Sequence, residues 1–143
     1  MRRAMFVGRW QPFHDGHKWL IDQKLQAGVP VLVCVRDIEP DSNNPFTTNQ
    51  TIDMIQTVYK GEKVEVMKIP DIESINYGRG VGYSIIEHIP PTNISQISGT
   101  EIRSKVLCED DTWKLHVHES IHEKVVQFLT GKEDFDKFMG SGI

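Results

Sequence analysis

The chain has 143 residues, of which 38% are hydrophobic and 25% charged, and a formal net charge of −4. That is one ordinary domain with enough apolar material for a core. The acidic balance excludes a general nucleic-acid binder, and no run reaches the ~20 apolar residues of a membrane span. Two cysteines, Cys34 and Cys108, make no disulfide framework, and the basic start Met1-Arg2-Arg3 leads into a run too short for a signal peptide. Both features point to the cytoplasm.

Ala4 to Val7 is a short apolar run bounded by Gly8 and reads as a buried strand. From His17 to Ala27, Trp19, Leu20, Ile21 and Leu25 fall at helical spacing, with Asp15 as N-cap and Gly28 as the stop. Val29 to Val35 is continuously apolar, as expected of a strand covered on both faces of a parallel sheet. Arg36 to Pro45 reads as a loop. Thr47 and Gln50 fit a capping box opening a helix with Ile52, Ile55, Val58 and Tyr59 on one face, which Gly61 stops. The valines from Val64 to Ile69 indicate a third strand.

Asp71 to Tyr83 is irregular and holds Gly78, Gly80 and Gly82. Ser84 to His88 is expected to form a short helix ended by Pro90-Pro91, Ile94 to Ile97 a fourth strand, and Ser98 to Leu107 a helix. Ser120 and Glu123 suggest another capping box, for a helix running to Gly131, with Phe135 and Phe138 beyond it. This alternation predicts an α/β fold, a mostly parallel sheet with right-handed crossovers and flanking helices. The whole chain, 1–143, reads as a single domain with a core over about 4–107 and a C-terminal helical extension over about 119–143.

In such sheets ligands bind outside the carboxyl ends of the strands. "GRWQPFHDGH", Gly8 to His17, starts at one such end, and "ISGTEIR", Ile97 to Arg103, is expected at another. His14 then falls in a turn and His17 in the first helical turn, where backbone amides and the helix dipole attract anions. Two such donors suit phosphoryl or nucleotidyl transfer, which needs positioning and charge stabilisation more than covalent help. Taken alone, the pair is equally a satisfied surface pair or half of a metal site. Ser98, Thr100 and Arg103 add hydroxyls and a guanidinium, although Ser98 with Glu101 also fits an ordinary helix cap.

H-D-G-H followed by I-S-G-T-E-I-R resembles the HxGH nucleotidyltransferase superfamily, and the longer "GRWQPFHDGH" with Asn44-Pro45-Phe46-Thr47 is most similar to its archaeal-type nicotinamide-nucleotide adenylyltransferases. The resemblance covers residues 4 to 107 in ordered succession. It implies a Rossmann-like three-layer fold and transfer of a nucleoside monophosphate from an NTP to a small phosphorylated acceptor. By the same resemblance His14, His17 and Arg103 are catalytic. Gly8, Arg9, Trp10, Gln11, Gly16, Ser98, Gly99 and Thr100 would bind the nucleotide, and Mg²⁺ would be held mainly through its phosphates. Self-association is implied as well. Trp10 stands where phenylalanine is usual. The stretch from Asp71 to Ser98 is shorter than in those adenylyltransferases, which keeps a CTP-dependent cytidylyltransferase open beside ATP and nicotinamide mononucleotide.

For the acceptor, Arg36 and Asp37 at the sheet's carboxyl edge, and Tyr77 and Arg79 in the Tyr77–Tyr83 loop, are the candidates; the loop reads equally as a surface turn. His116, His118 and His122 have spacing that can ligate a transition metal, but no further ligand is obvious and no metal site is assigned. A nucleotide-binding module without turnover is the remaining reading.

Overall fold

The computed structural model describes residues 2–80 and 82–131. Three parallel strands, β1 (Ala4–Gly8), β2 (Val31–Asp37) and β3 (Val64–Pro70), lie side by side in that order. Phe6 pairs with Val33, and Val33 with Val66. Helices α1 (Asp15–Leu25) and α2 (Thr48–Val58) connect them. Then follow the short α3 (Thr92–Ser95), α4 (Gly99–Leu107), 3-10 turns at Asp111–His116 and Glu119–Ile121, and α5 (His122–Thr130). The expected parallel α/β architecture is therefore present. Among the described residues no helix is long and apolar enough to cross a membrane.

Alternation along the strands sets the layers. Phe6, Val31, Val33 and Val35 point to one face, where they join Phe13, Ile21, Met54, Ile55, Ile102, Trp113, Ile121 and Val125 in one core. On the other face Met5 and Met67 stay exposed. The Tyr59 hydroxyl ties α2 to α1 by donating to Asp22, and Lys124 ties α5 to α2 through Asp53. The Thr47–Gln50 capping box is formed in both directions.

Several local expectations are corrected. The second strand extends through Arg36 and Asp37, so the loop begins at 38. Ser84 to His88 forms no helix; Ile85, Ile86 and Ile89 are exposed there, so no packing supports so short a helix. Ile94 to Ile97 is not a strand. After two prolines, the Pro91 carbonyl accepts from the N–H groups of Ile94 and Ser95 and starts α3 instead. The Ser98 junction thus joins helix to helix. Ser120 does not cap α5, which starts without a side-chain cap; His118 caps the preceding 3-10 turn through the Ser120 N–H. Gly131 ends α5 in the left-handed conformation. Phe135, Phe138 and the rest of the expected extension beyond 131 lie outside the described residues.

Met54 is fully buried where α2 meets the core. Met54→Ala is expected to lower the unfolding free energy by about 3 kcal/mol, measured by urea denaturation.

Candidate active site

The first helix begins in an unusual way. A helix leaves its first N–H groups without partners, and Ser, Thr, Asp or Asn usually supplies the acceptor. Here the N-cap is His14, not Asp15, which is the first helical residue. The Nδ1 of His14 accepts from the Gly16 N–H at 3.0 Å, and the Nδ1 of His17 accepts from the His14 N–H at 3.3 Å. The two rings stack with centroids 3.7 Å apart and planes 16° from parallel. His17 is wedged against Trp10 edge-on at 4.9 Å and against Phe13 at 5.7 Å.

This bonding fixes the chemistry of both rings. A ring nitrogen that accepts carries no proton, so in each neutral imidazole the proton sits on Nε2 and that nitrogen is a donor. Burial, and next the charge of His116, hold the His14 pKa down at about 4. Burial and then His14 hold His17 well below its ordinary value. The positive end of the helix dipole acts in the same direction. At neutral pH the site therefore presents two uncharged N–H donors.

Gly16 is required for this arrangement. A Cβ there would lie 2.8 Å from Cε1 of His14 and 3.0 Å from its Nδ1. Gly8 has a similar duty toward Trp10, whose ring would stand 2.9 Å from an added Cβ. Trp10 is buried, adopts φ 54°, and donates its indole N–H to the Cys34 carbonyl at 3.1 Å. It is a core residue packed edge-on to His17, with its indole N–H already bonded, and the contacts that hold it offset the cost of left-handed backbone.

Gln11 joins three distant segments. Its side-chain amide donates to the Phe46 carbonyl at 3.1 Å and accepts from the Phe46 N–H at 3.0 Å. Its own carbonyl accepts from Arg103 at 2.6 Å. Gly99 backs onto that same carbonyl, which would stand 2.8 Å from an added Cβ. Arg103 also reaches the Thr100 hydroxyl at 3.3 Å, and Ser98 caps α4 by accepting from the Glu101 N–H at 3.3 Å. Gln11, Gly99, Thr100 and Arg103 therefore meet at the α4 N-terminus, with Gln11 three residues before His14.

The loop between β2 and α2 contributes a residue that the sequence did not single out. Asp41 accepts from the Asn44 side chain and backbone and from the Asn43 N–H. Those donors, Asn44 first, with a smaller effect from the Arg9 charge, hold its carboxyl below the usual carboxylate range. Its charge also acts on Arg103, opposing the lowering that burial causes there. Asp41 thus lies in the electrostatic field of both arginines. The Asp-Ser-Asn-Asn stretch is a turn signal in the sequence, and nothing in it indicates which charges it faces.

The acceptor candidates have other duties. Arg36 donates from Nε and Nη2 to Asp71, at 2.9 and 2.6 Å, and also to the Ile72 carbonyl. Asp37 accepts from the Thr48 hydroxyl at 3.0 Å. Tyr77 and Arg79 are exposed on the segment that follows β3. The three later histidines do not converge. His118 bonds Ser120, and His122 bonds the Val117 carbonyl and stands edge-on to Trp113. Among the described residues no three metal-ligating side chains gather.

A family model described as cytidylyltransferase-like matches residues 5–107. A nicotinamide-nucleotide adenylyltransferase of Methanocorpusculum labreanum is 38% identical over 72 residues, which is 49% of this chain and 43% of that protein. Proteins of the same name from Methanococcus maripaludis and Archaeoglobus fulgidus match over nearly their full length. The first is 28% identical, covering 90% of this chain and 91% of the relative. The second is 25% identical, covering 85% and 88%. The M. maripaludis alignment runs over 160 positions against 143 residues here, so that relative carries residues with no counterpart in this chain.

Gly16→Ala should displace the His14 ring, removing a cap worth about 1 kcal/mol by urea denaturation, and lower turnover more than tenfold. The His14 pKa gives a second outcome. It is lower in the folded chain than the ordinary 6.5, so the unfolded chain binds the extra proton. Stability from this group is complete above pH 6.5 and is lost as pH falls toward 4, by up to about 3 kcal/mol. Denaturation curves across that window should show the loss, and it should be smaller in His14→Asn, whose side-chain oxygen keeps the cap without titrating while His17, also depressed by burial, still contributes.

Proposed function

The chain belongs to the cytidylyltransferase-like family, and we propose that it transfers a nucleoside monophosphate from an NTP to a small phosphate-bearing acceptor, releasing pyrophosphate. The observation that carries this reading is the stacked imidazole pair, whose two Nε2–H donors stand three and six residues beyond Gln11, the residue whose carbonyl Arg103 binds. ATP as donor and nicotinamide mononucleotide as acceptor follow from the names of the relatives.

The reaction needs no protein nucleophile. A phosphate oxygen of the acceptor attacks the α-phosphorus in line, a new P–O bond forms, and the bond to pyrophosphate breaks. Negative charge grows on the departing oxygens. His14 and His17 donate to those oxygens from Nε2, and Arg103 supplies a fixed positive charge at the β and γ phosphates. Donors already held in place need no reorganisation as charge develops, and each is worth about 3 kcal/mol of transition-state binding. Staying neutral also suits the imidazoles, because they bind the triphosphate without titrating away near pH 7. Mg²⁺ bound through phosphate oxygens would neutralise part of the triphosphate charge. Arg9 and Arg103, with Asp41 between their fields, line the path of the phosphates.

One observation favours a second reading for the substrate. The chain is shorter than the M. maripaludis relative's alignment with it, and its least packed stretch follows β3, so a smaller acceptor with CTP as donor fits the same donors.

The test separates the donor atom from the fold. In His17→Asn the amide oxygen can still accept from the His14 N–H, while the Nε2–H donor is gone. With ATP, Mg²⁺ and nicotinamide mononucleotide, pyrophosphate release should fall on the order of a hundredfold with little change in melting temperature. The wild type with CTP and glycerol phosphate tests the second reading. No pyrophosphate from either pair, with nucleotide still bound, would favour a module without turnover.

A further inference from the structure

Of the three histidines after residue 110, His116 alone makes no hydrogen bond or ion pair from its ring among the described residues. It is nonetheless held firmly in position. The Asp110 side chain caps its 3-10 turn by accepting from the Thr112 N–H at 3.0 Å. Trp113 and Val117, on either side of it, are 1% and 4% exposed. His116, half-buried between these anchors, lines a cavity of about 210 Å³. Ser98 and Lys105 from α4, and Asn93 and Gln96 from α3, line that cavity, with Trp113 and Ile102 as apolar surface. Glu101 is there too and is paired with Lys105 at 3.3 Å.

Two further facts connect this cavity to the site. Its α4 face begins with Ser98, in the turn that also presents Gly99 and Arg103 to Gln11. The Ile94 carbonyl of α3 lies 3.6 Å from where a Cβ of Gly16 would stand, so α3 adjoins the start of α1. His116 is close enough for its charge to act on His14. It also stands beyond the span 5–107 that the family shares, so membership alone does not imply it.

We propose that His116 is a third imidazole of the nucleotide site, donating a ring N–H to a phosphate oxygen of the bound NTP beside His14, with the cavity it lines receiving part of that nucleotide. The proposal rests on the nucleotidyltransferase reading and adds a residue and a ligand contact to it. NTP is the occupant because the cavity is walled by Ser98 at the start of α4 and by α3, which adjoins the start of α1 where His14 sits, whereas the acceptor candidates lie elsewhere on the chain.

Calorimetry with Mg²⁺–ATP on the wild type, His116→Leu and His116→Gln tests it. His116→Leu keeps bulk and loses the donor, and should weaken ATP about tenfold, the scale of one hydrogen bond to a charged group. His116→Gln should recover to within about threefold. The KM for nicotinamide mononucleotide should not move in either variant. On the unaltered protein, the His116 ring resonances should shift on saturation with ATP. Wild-type affinity in His116→Leu, or an unmoved His116 resonance in wild type that does bind ATP, overturns the contact and leaves the assigned activity standing. A wild type that binds neither ATP nor CTP overturns both.

Discussion

Two imidazoles satisfy the first N–H groups of α1, and the geometry of the site follows from that. Each ring has two nitrogens, and the helix takes one of each. What remains is fixed in chemical character and direction. Capping sets the tautomer, stacking sets the plane, and burial keeps the charge off. An Asp cap would satisfy the helix as well but would leave no donor for an anion. The Gly between the histidines belongs to the same constraint, because the His14 ring occupies the space that a Cβ would need. Its conformational freedom is secondary, as is any approach of ligand to its backbone.

The second constraint is the Gln11 junction. Its side chain holds Phe46 on both backbone atoms, and its carbonyl takes Arg103 from 92 positions away. A single residue thus registers the first loop, the loop before α2 and the start of α4 against one another. The contact replaces a covalent tie between segments that the chain brings together only by folding. It also explains why a buried polar side chain is tolerated: both ends of the amide are bonded, so its desolvation is compensated. The same junction leaves Arg103 further bonds to make, since a guanidinium carries five N–H donors.

What was legible in the sequence was what local pattern encodes. Three strands, α1, α2 and α4, and the Thr47 cap follow from periodicity and from side chains that act on their own neighbours. Of the motif residues, Gln11, Gly99 and Arg103 come together, and His14 stacks on His17. The misses have physical causes. A histidine is a rare cap, so Asp15 looked like the better one. Ile94 to Ile97 has strand composition, yet the prolines before it redirect the backbone into a helical turn. Trp10 shows the limit of local pattern in another way. Its burial and its bond to Cys34 depend on β2, which no local window contains. Asp41 and His116 act on the site by charge across long sequence separations, and such placement leaves no trace in spacing.

The site is unequal in its two halves. On the nucleotide side the motif groups hold one another: rings by caps, Gln11 by Phe46, Arg103 by Gln11 and Thr100. From Asp71 to Pro91 the chain has no helix or strand among the described residues, and its large side chains Ile75, Tyr77, Tyr83, Ile85, Ile86 and Ile89 are exposed. Its beginning is pinned by Arg36 to Asp71 and Ile72, and its end by the Pro91 carbonyl that starts α3. A tethered stretch of this kind can change its exposed side chains without disturbing either end, its contact with the core being His88, which stacks on Phe6 with centroids 6.3 Å apart. Discrimination among phosphorylated acceptors can therefore change there at little cost to the donors that stabilise the transferring phosphate. On the proposed reading, the chemistry belongs to the packed half and the choice of acceptor to the unpacked one.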